Sequence, residues 1–326
     1  MKKLLSILLT AVLLLSVFTL AGCSGEAETL KFGLGTYAYT ENAKSAEGTT
    51  NGGVEVVSTM AAVLLDKDGK IVKCEIDCAD CTLNFNAKGE FVSIGEFKTK
   101  YEKGSDYGMV AYGGAKKEWF EQVDAFEGAV AGKTIDEVKA LVASEGKGND
   151  TVVNAGCTIA IADFVNALEK AVKNAKDSKA TKDDTLKLGI VSTQTGANAT
   201  NEKAGSNEVE TTITAVAVAD GKVNAAVTDA YQATVAFDIK GVTSTKAGDI
   251  ATKLEKGTDY GMVAYGGAKK EWFEQAAAFD AALIGKNSDE IAALATADGK
   301  PVETLVTAGC TIGVSDMVKA AVKAAK

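Results

Sequence analysis

TKYEKGSDYGMVAYGGAKKEWFEQ, residues 99–122, recurs as TKLEKGTDYGMVAYGGAKKEWFEQ at residues 252–275, with only Tyr101/Leu254 and Ser105/Thr258 exchanged. The offset of 153 residues persists downstream, where VNAGCTIAIADFV (153–165) matches VTAGCTIGVSDMV (306–318). Upstream, LKFGLGT (30–36) reads against LKLGIVS (186–192), and MAAVLLDKDGKI (60–71) against ITAVAVADGKV (213–223) with one residue dropped. A period this long is a whole domain duplicated rather than a solenoid unit. The charged, apolar-poor stretch AKDSKATKDD (175–184) lies between the copies and reads as a linker.

Within each copy the pattern runs strands first, helices after. Met60–Leu65 and Ile71–Ile76 are strand-like runs separated by DKDG, a hairpin-type turn, and the second copy repeats this around Ala219-Asp220-Gly221. The stretches 41–53 and 197–207 read as polar loops. Trp119, Phe120, Val123 and Phe126 recur at helical spacing, and Thr134-Ile-Asp-Glu137 is a capping-box start. A last helix carries Ile161, Phe164, Val165, Leu168 and Val172 on one face, matched by Val314, Met317, Val318 and Val322. This predicts an α+β fold: two tandem copies of a small domain, each an antiparallel sheet with helices segregated to one side. Each copy is expected to hold all its own strands and helices, and fragments 29–176 and 185–326 are expected to fold alone.

The N-terminus has a different logic. Lys2 and Lys3 precede the apolar run LLSILLTAVLLLSVF and then Leu20-Ala21-Gly22-Cys23, the layout of a secretory signal. LAGC resembles the lipobox of bacterial lipoproteins, which implies that Cys23 is lipidated (palmitate) and becomes the first residue of the mature chain. The expected organisation is a signal peptide (1–22), a lipid tether (23–29), copy 1 (30–174), a linker (175–185) and copy 2 (186–326).

Composition removes several chemistries. Without Lys2 and Lys3 the mature chain carries 33 Lys against 44 acidic residues, a charge of −11. It has no Arg and no His, so it is poorly suited to gripping nucleic acid, and it has no Ser-His-Asp or Cys-His system or His-ligated metal. Cys74, Cys78 and Cys81 occur only in copy 1, with Asn224 and Thr228 read where the first two fall in copy 2. Bridges Cys74–Cys78 or Cys78–Cys81, or three plain thiols, are favoured over a metal site, because no fourth ligand is evident.

Two motifs remain as candidate sites. Gly156-Cys157-Thr158 and Gly309-Cys310-Thr311 precede the final helix of each copy. Two readings stand for them: a phosphate site using glycine backbone and helix N–H groups, or a threonine that merely caps its helix. Tyr107, Met109 and Tyr112, with their counterparts Tyr260, Met262 and Tyr265, lie in a glycine-bearing loop where a flat ring can be packed, whereas Trp119/Phe120 and Trp272/Phe273 read as core.

A Gly, small residue, Thr, Ile run leading into TIxxxDFVxALxxA resembles the FMN-binding domain family. Its usual motif is S-G-A-T, and in many members FMN is joined through its phosphate to the threonine. Ala155 and Ala308 replace that serine, and Cys157 and Cys310 the alanine. The LG start, the AAV hairpin, the YGM segment and the KEWxEQ helix together resemble tandem FMN-binding lipoproteins of Gram-positive extracellular electron transfer. This resemblance implies two FMN groups, one on Thr158 and one on Thr311, and an electron carrier rather than a substrate-transforming enzyme. It also implies a lipid-anchored place on the outer face of the cytoplasmic membrane, a quinone-linked membrane donor, an exported flavin transferase and a soluble or mineral acceptor. The alternative is a surface lipoprotein that binds a small ligand or flavin without electron transfer. The anchoring expectation is tested directly: the wild-type protein partitions into detergent with membranes, Cys23→Ala does not, and a freely soluble wild type overturns it.

Overall fold

The computed structural model describes residues 28–93, 95 and 97–326. The signal segment and Cys23 lie outside the described residues. Copy 1 runs β1 (Thr29–Lys44), β2 (Gly52–Leu65), β3 (Ile71–Cys78), β4 (Cys81–Phe85), β5 (Phe91–Val92), α1 (Lys100–Lys103), α2 (Trp119–Val130), α3 (Ile135–Lys139), α4 (Asp150–Ala155) and α5 (Ala162–Asn174). After β6 (Lys176–Thr181), copy 2 runs β7 (Thr185–Ala197), β8 (Gly205–Ala219), β9 (Lys222–Phe237), β10 (Gly248–Ile250), α6 (Lys253–Lys256), α7 (Trp272–Leu283), α8 (Ser288–Ala292), α9 (Glu303–Ala308) and α10 (Ser315–Ala324). The fold is α+β with antiparallel sheets, as the pattern predicts.

The two hairpins at the start of each copy explain the dropped residue. In copy 1 Asp66 N–H donates to Lys70 O across a three-residue turn, 67–69, and Asp66 Oδ1 accepts the N–H groups of Asp68 and Lys70. In copy 2 Asp220 and Gly221 both have positive φ (51° and 70°), the two-residue turn whose twist matches the flanking strands.

Strand alternation sends every second side chain to opposite faces, and both faces are apolar. On one face of the copy 1 sheet, Ala61, Val63, Leu65, Ile71 and Ile76 pack under α2 and α5 with Trp119, Val123, Phe126, Phe164, Val165 and Leu168. Copy 2 repeats this with Val216 and Val223 under Trp272, Phe279, Met317 and Val318. The opposite faces pack on each other: Phe32, Leu34, Val56, Met60, Leu83 and Phe85 share one core with Ile190, Val209, Ile213, Tyr231, Val235 and Phe237. Phe85 and Phe237 stack at 4.6 Å between centroids, and the buried Tyr231 hydroxyl donates to Ser58 Oγ at 2.9 Å. The molecule is a four-layer sandwich of helices, sheet, sheet and helices.

This arrangement corrects two expectations. Residues 176–181 are not a loose linker but strand β6, antiparallel to β1, with Ala180 fully buried. Its backbone covers an edge of β1 that would otherwise leave N–H and C=O groups unpaired. The copies do not each hold all their own strands either, because β10 of copy 2 pairs with β1 of copy 1 through Ala38↔Ile250 and Thr40↔Gly248.

Register also refines the repeat. Gly35 meets α5 so closely that a Cβ would lie 2.2 Å from Ala171 N and 2.3 Å from Ala167 O, and at Gly189 a Cβ would lie 1.9 Å from Ala320 O. Ala167 and Ala320 are equivalent, so Gly35 corresponds to Gly189, two residues away from the reading of LKFGLGT against LKLGIVS. On β3 and β9, Met60↔Asp77 matches Ile213↔Asp229, which sets Ala226, Ala230 and Ala233 opposite Cys74, Cys78 and Cys81, not Asn224 and Thr228. The cysteines are unbridged thiols. Cys74 and Cys78 are four residues apart on one strand, about 13 Å, beyond disulfide reach. Cys78 packs in the helix-side core while Cys81 packs against the sheet–sheet core, on opposite faces.

Because the shared core is as apolar as either helix-side core, separating the copies exposes it. Fragments 29–176 and 185–326 are expected to bind a hydrophobic dye or aggregate when alone and to form a 1:1 complex when mixed. Two well-behaved monomers that ignore each other in analytical ultracentrifugation overturn this.

Candidate functional site

In each copy the repeated segment is anchored by buried carboxylates. Glu118, the N-cap of α2, accepts the backbone N–H groups of Met109 (3.0 Å) and Val110 (3.2 Å), while its own N–H donates to Glu121 in a capping box. Glu271 does the same for Met262 and Val263 with Glu274. A buried carboxylate thereby pins the YGM loop to the start of a helix. The short helix α1 is fixed from the sheet. Asp77 Oδ1 accepts the N–H groups of Cys78 and Tyr101, and Asp229 Oδ1 those of Ala230 and Leu254. Burial pushes the Asp77 carboxyl up to about 6 and Asp229 to about 7, against these hydrogen bonds.

These anchors build the same cleft twice. In copy 1 a cleft of about 520 Å³ is walled by Tyr107, Met109, Trp119, Ile159 and Phe164, with Lys100, Thr59, Tyr39 and Asp163 among its polar groups. In copy 2 a cleft of about 420 Å³ is walled by Tyr260, Met262, Trp272, Ile312 and Met317, with Lys253, Thr212 and Asp316. Thr59 and Thr212 lie on the helix-side faces of their sheets, so the clefts open on opposite outer sides of the sandwich. Tyr39 donates to Asp163 at 3.1 Å, and Thr193 donates to Asp316 at 3.3 Å from the equivalent strand position. Burial raises the Asp163 carboxyl, and the Tyr39 hydrogen bond offsets part of the shift.

Thr158 immediately precedes the cleft-lining Ile159 and Ala160, and Thr311 precedes Ile312 and Gly313. Both threonines are exposed. The backbone N–H and the hydroxyl of Thr158 both donate to Gln122 Oε1 at 2.9 Å, and those of Thr311 to Gln275 Oε1 at 2.8 and 3.0 Å. The helix-capping reading is therefore corrected. The N-cap of α5 is Ile161 and that of α10 is Val314, without side-chain caps, while Gly156 (φ 110°) and Gly309 (φ 106°) end the preceding helices in the left-handed region. Free N–H groups of a helix start do not surround the threonine, whose own N–H is committed to the glutamine. A cation stands there instead: a Cβ at Gly156 would lie 2.3 Å from Lys117 Nζ, and at Gly309 2.1 Å from Lys270 Nζ.

The other sequence candidates divide. Tyr107 and Met109, with Tyr260 and Met262, line the clefts, whereas Tyr112 and Tyr265 do not and are 91% exposed. Cys157 and Cys310 are buried in the helix-side cores, which pushes both thiols up to about 11. Trp119 and Trp272, assigned to the core, serve both core and cleft wall. Sequence reasoning passed over Lys100/Lys253, Gln122/Gln275, Glu118/Glu271 and Asp163/Asp316. All but Asp163 and Asp316 lie inside the near-identical segment that carries the tyrosines, and that identity is the signal that marks them.

Comparison of the chain with known protein families, with curated protein sequences and with solved structures returned no match.

Glu118→Ala removes both a cap and a buried acceptor of two N–H groups, so a loss of about 3 kcal/mol in chemical denaturation is expected. Glu118→Gln, which keeps one acceptor oxygen, is expected to lose about 1 kcal/mol.

Proposed function

We propose that this chain is a lipid-anchored electron carrier on the outer face of the cytoplasmic membrane, holding two FMN groups, one in each cleft and each joined to a threonine. The observation that carries this reading is the recurrence of one cleft, with one threonine-bearing turn beside it, twice in a chain that has no His and no Arg. The residues fit the group. A cleft of about 420 to 520 Å³ is in the size range of small-molecule sites. Its aromatic and thioether walls suit a flat ring. Thr158 and Thr311 present exposed hydroxyls, and Lys117 and Lys270 set an ammonium beside each turn, the counter-charge that a phosphate requires.

The bound flavin supplies the redox chemistry, which the side chains of this protein lack. Before attachment, Gln122 and Gln275 would orient the threonine hydroxyls by accepting their hydrogen bonds, leaving the oxygen lone pairs outward. Glu118 and Glu271 hold the loop that forms one wall, and Trp119 and Trp272 exclude water from the base. With clefts on opposite faces of the sandwich, one face serves a quinone-linked membrane donor and the other a soluble or mineral acceptor. An exported flavin transferase loads both sites. On this reading the chain carries electrons rather than transforming a substrate.

Intact mass of the mature protein from its own host is expected to include two FMN groups. Thr158→Val and Thr311→Val each remove one, and the double change removes both, with little effect on the melting temperature. A double variant that stays yellow after denaturing electrophoresis overturns attachment at these residues. A wild type without flavin overturns the reading as a whole.

A further inference from the structure

Each cleft contains one lysine held in a way that packing alone does not require. Lys100 Nζ lies 5.5 Å from the ring centroid of Tyr107 and 5.7 Å from that of Trp119, and Lys253 Nζ lies 5.1 and 5.5 Å from Tyr260 and Trp272. The side chains are only 16% and 6% exposed, so both ammonium groups have lost most of their water. Each is paired with one carboxylate: Lys100 with Asp80 at 2.7 Å, and Lys253 with Glu210 at 2.6 Å.

The two carboxylates are not equivalent residues. The register Thr59↔Cys78 and Val56↔Cys81 sets Val57 opposite Asp80, and the equivalent cross-strand pair in copy 2 is Glu210↔Gln232. In copy 1 the acid lies in the break between β3 and β4, and an apolar residue faces it. In copy 2 the acid has moved to the neighbouring strand and an amide has taken its place. The lysine has stayed while its counter-ion changed strands. A buried ion pair adds little stability over an apolar pair of the same volume, so its survival through this exchange indicates that the charge itself is needed. An ammonium has three N–H donors, which leaves donors beyond the one given to the carboxylate.

We propose that Lys100 and Lys253 are the ligand-facing cations of the two clefts, each presenting a fixed ammonium to a ring that gains negative charge on reduction and so raising its reduction potential. This rests on the flavin reading above. Two-electron reduction by a quinol-class donor oxidises the quinol to the quinone and frees two protons. One proton stays with the ring and the other passes to water, so the ring gains one negative charge. A nearby, poorly hydrated ammonium favours that charge, and the paired carboxylate tempers the effect. Asp80 and Glu210 therefore tune the potential in the opposite direction.

The test is a spectroelectrochemical titration of the full mature chain purified with its flavin, with Thr158→Val and Thr311→Val used to assign each wave to a copy. Lys100→Met is expected to lower the copy 1 potential so that the reduced fraction at fixed applied potential falls at least about tenfold, leaving copy 2 unmoved. Asp80→Asn is expected to raise it. Val57→Glu combined with Asp80→Gln, which gives copy 1 the pairing of copy 2, is expected to restore it. Lys253→Met and Glu210→Gln act on copy 2 with the same signs. Should Lys100→Met melt low and lose its flavin, the Asp80 and Val57/Asp80 variants decide, since neither removes the lysine. Full flavin content with unmoved potentials in all variants overturns the proposal and leaves the flavin reading standing, whereas absence of flavin from the wild type overturns both.

Discussion

The structure depends on one constraint: each sheet is apolar on both faces, and its own helices cover only one. The remaining face of copy 1, centred on Val56, Met60 and Phe85, has only the matching face of copy 2 to bury it, centred on Val209, Ile213 and Phe237. Burial at roughly 25 cal/mol per Å² makes that contact worth as much as an internal core. It fixes the order of layers, pushes the helices outward and turns a tandem repeat into one folding unit. Strands β6 and β10 follow from the same constraint, since both lie along β1, where the first sheet would otherwise end in an open edge.

The clefts are the consequence on the outer side. Where helices α5 and α10 cross the sheet over glycines, backbones touch and no space remains. The clefts lie beyond that crossing, along residues 55–59 of β2 and 210–212 of β8, with the YGM loop as one wall. Met109 and Met262 pack against the helix-side cores, and Glu118 and Glu271, each a single buried carboxylate, join the loop to its helix. A lysine inserted between tyrosine and tryptophan completes the wall. The same residues that stabilise the loop therefore set the charge inside the cleft, so structure and site are not separable there.

The sequence by itself determined the duplication, the α+β class, the hairpins with their Asp-Gly turns, the capping box at Thr134 and the buried stripes of the helices. These are local or periodic properties: a turn needs particular φ values at particular residues, and an amphipathic helix repeats every 3.6 residues whatever it packs on. Near-identity between the copies marked the Tyr107–Met109 loop and the glycine–threonine turn as separate candidates, without showing that the loop and the residues after the turn line one cleft. Only the tertiary structure decided the rest. Register shifted the copy alignment at Gly35 and Gly189, because two glycines in LKFGLGT allow either match and only the helix crossing distinguishes them. It separated Cys78 from Cys81, since strand alternation acts in space and a three-residue spacing across a strand break does not reveal it. It exposed Tyr112 and buried Cys157. It also turned a polar spacer into strand β6, because backbone hydrogen bonds to β1 do not depend on side-chain type. The joining of the two sheets, and the lysine that keeps its charge partner across strands, arise from contacts far apart in the chain, which no local pattern encodes.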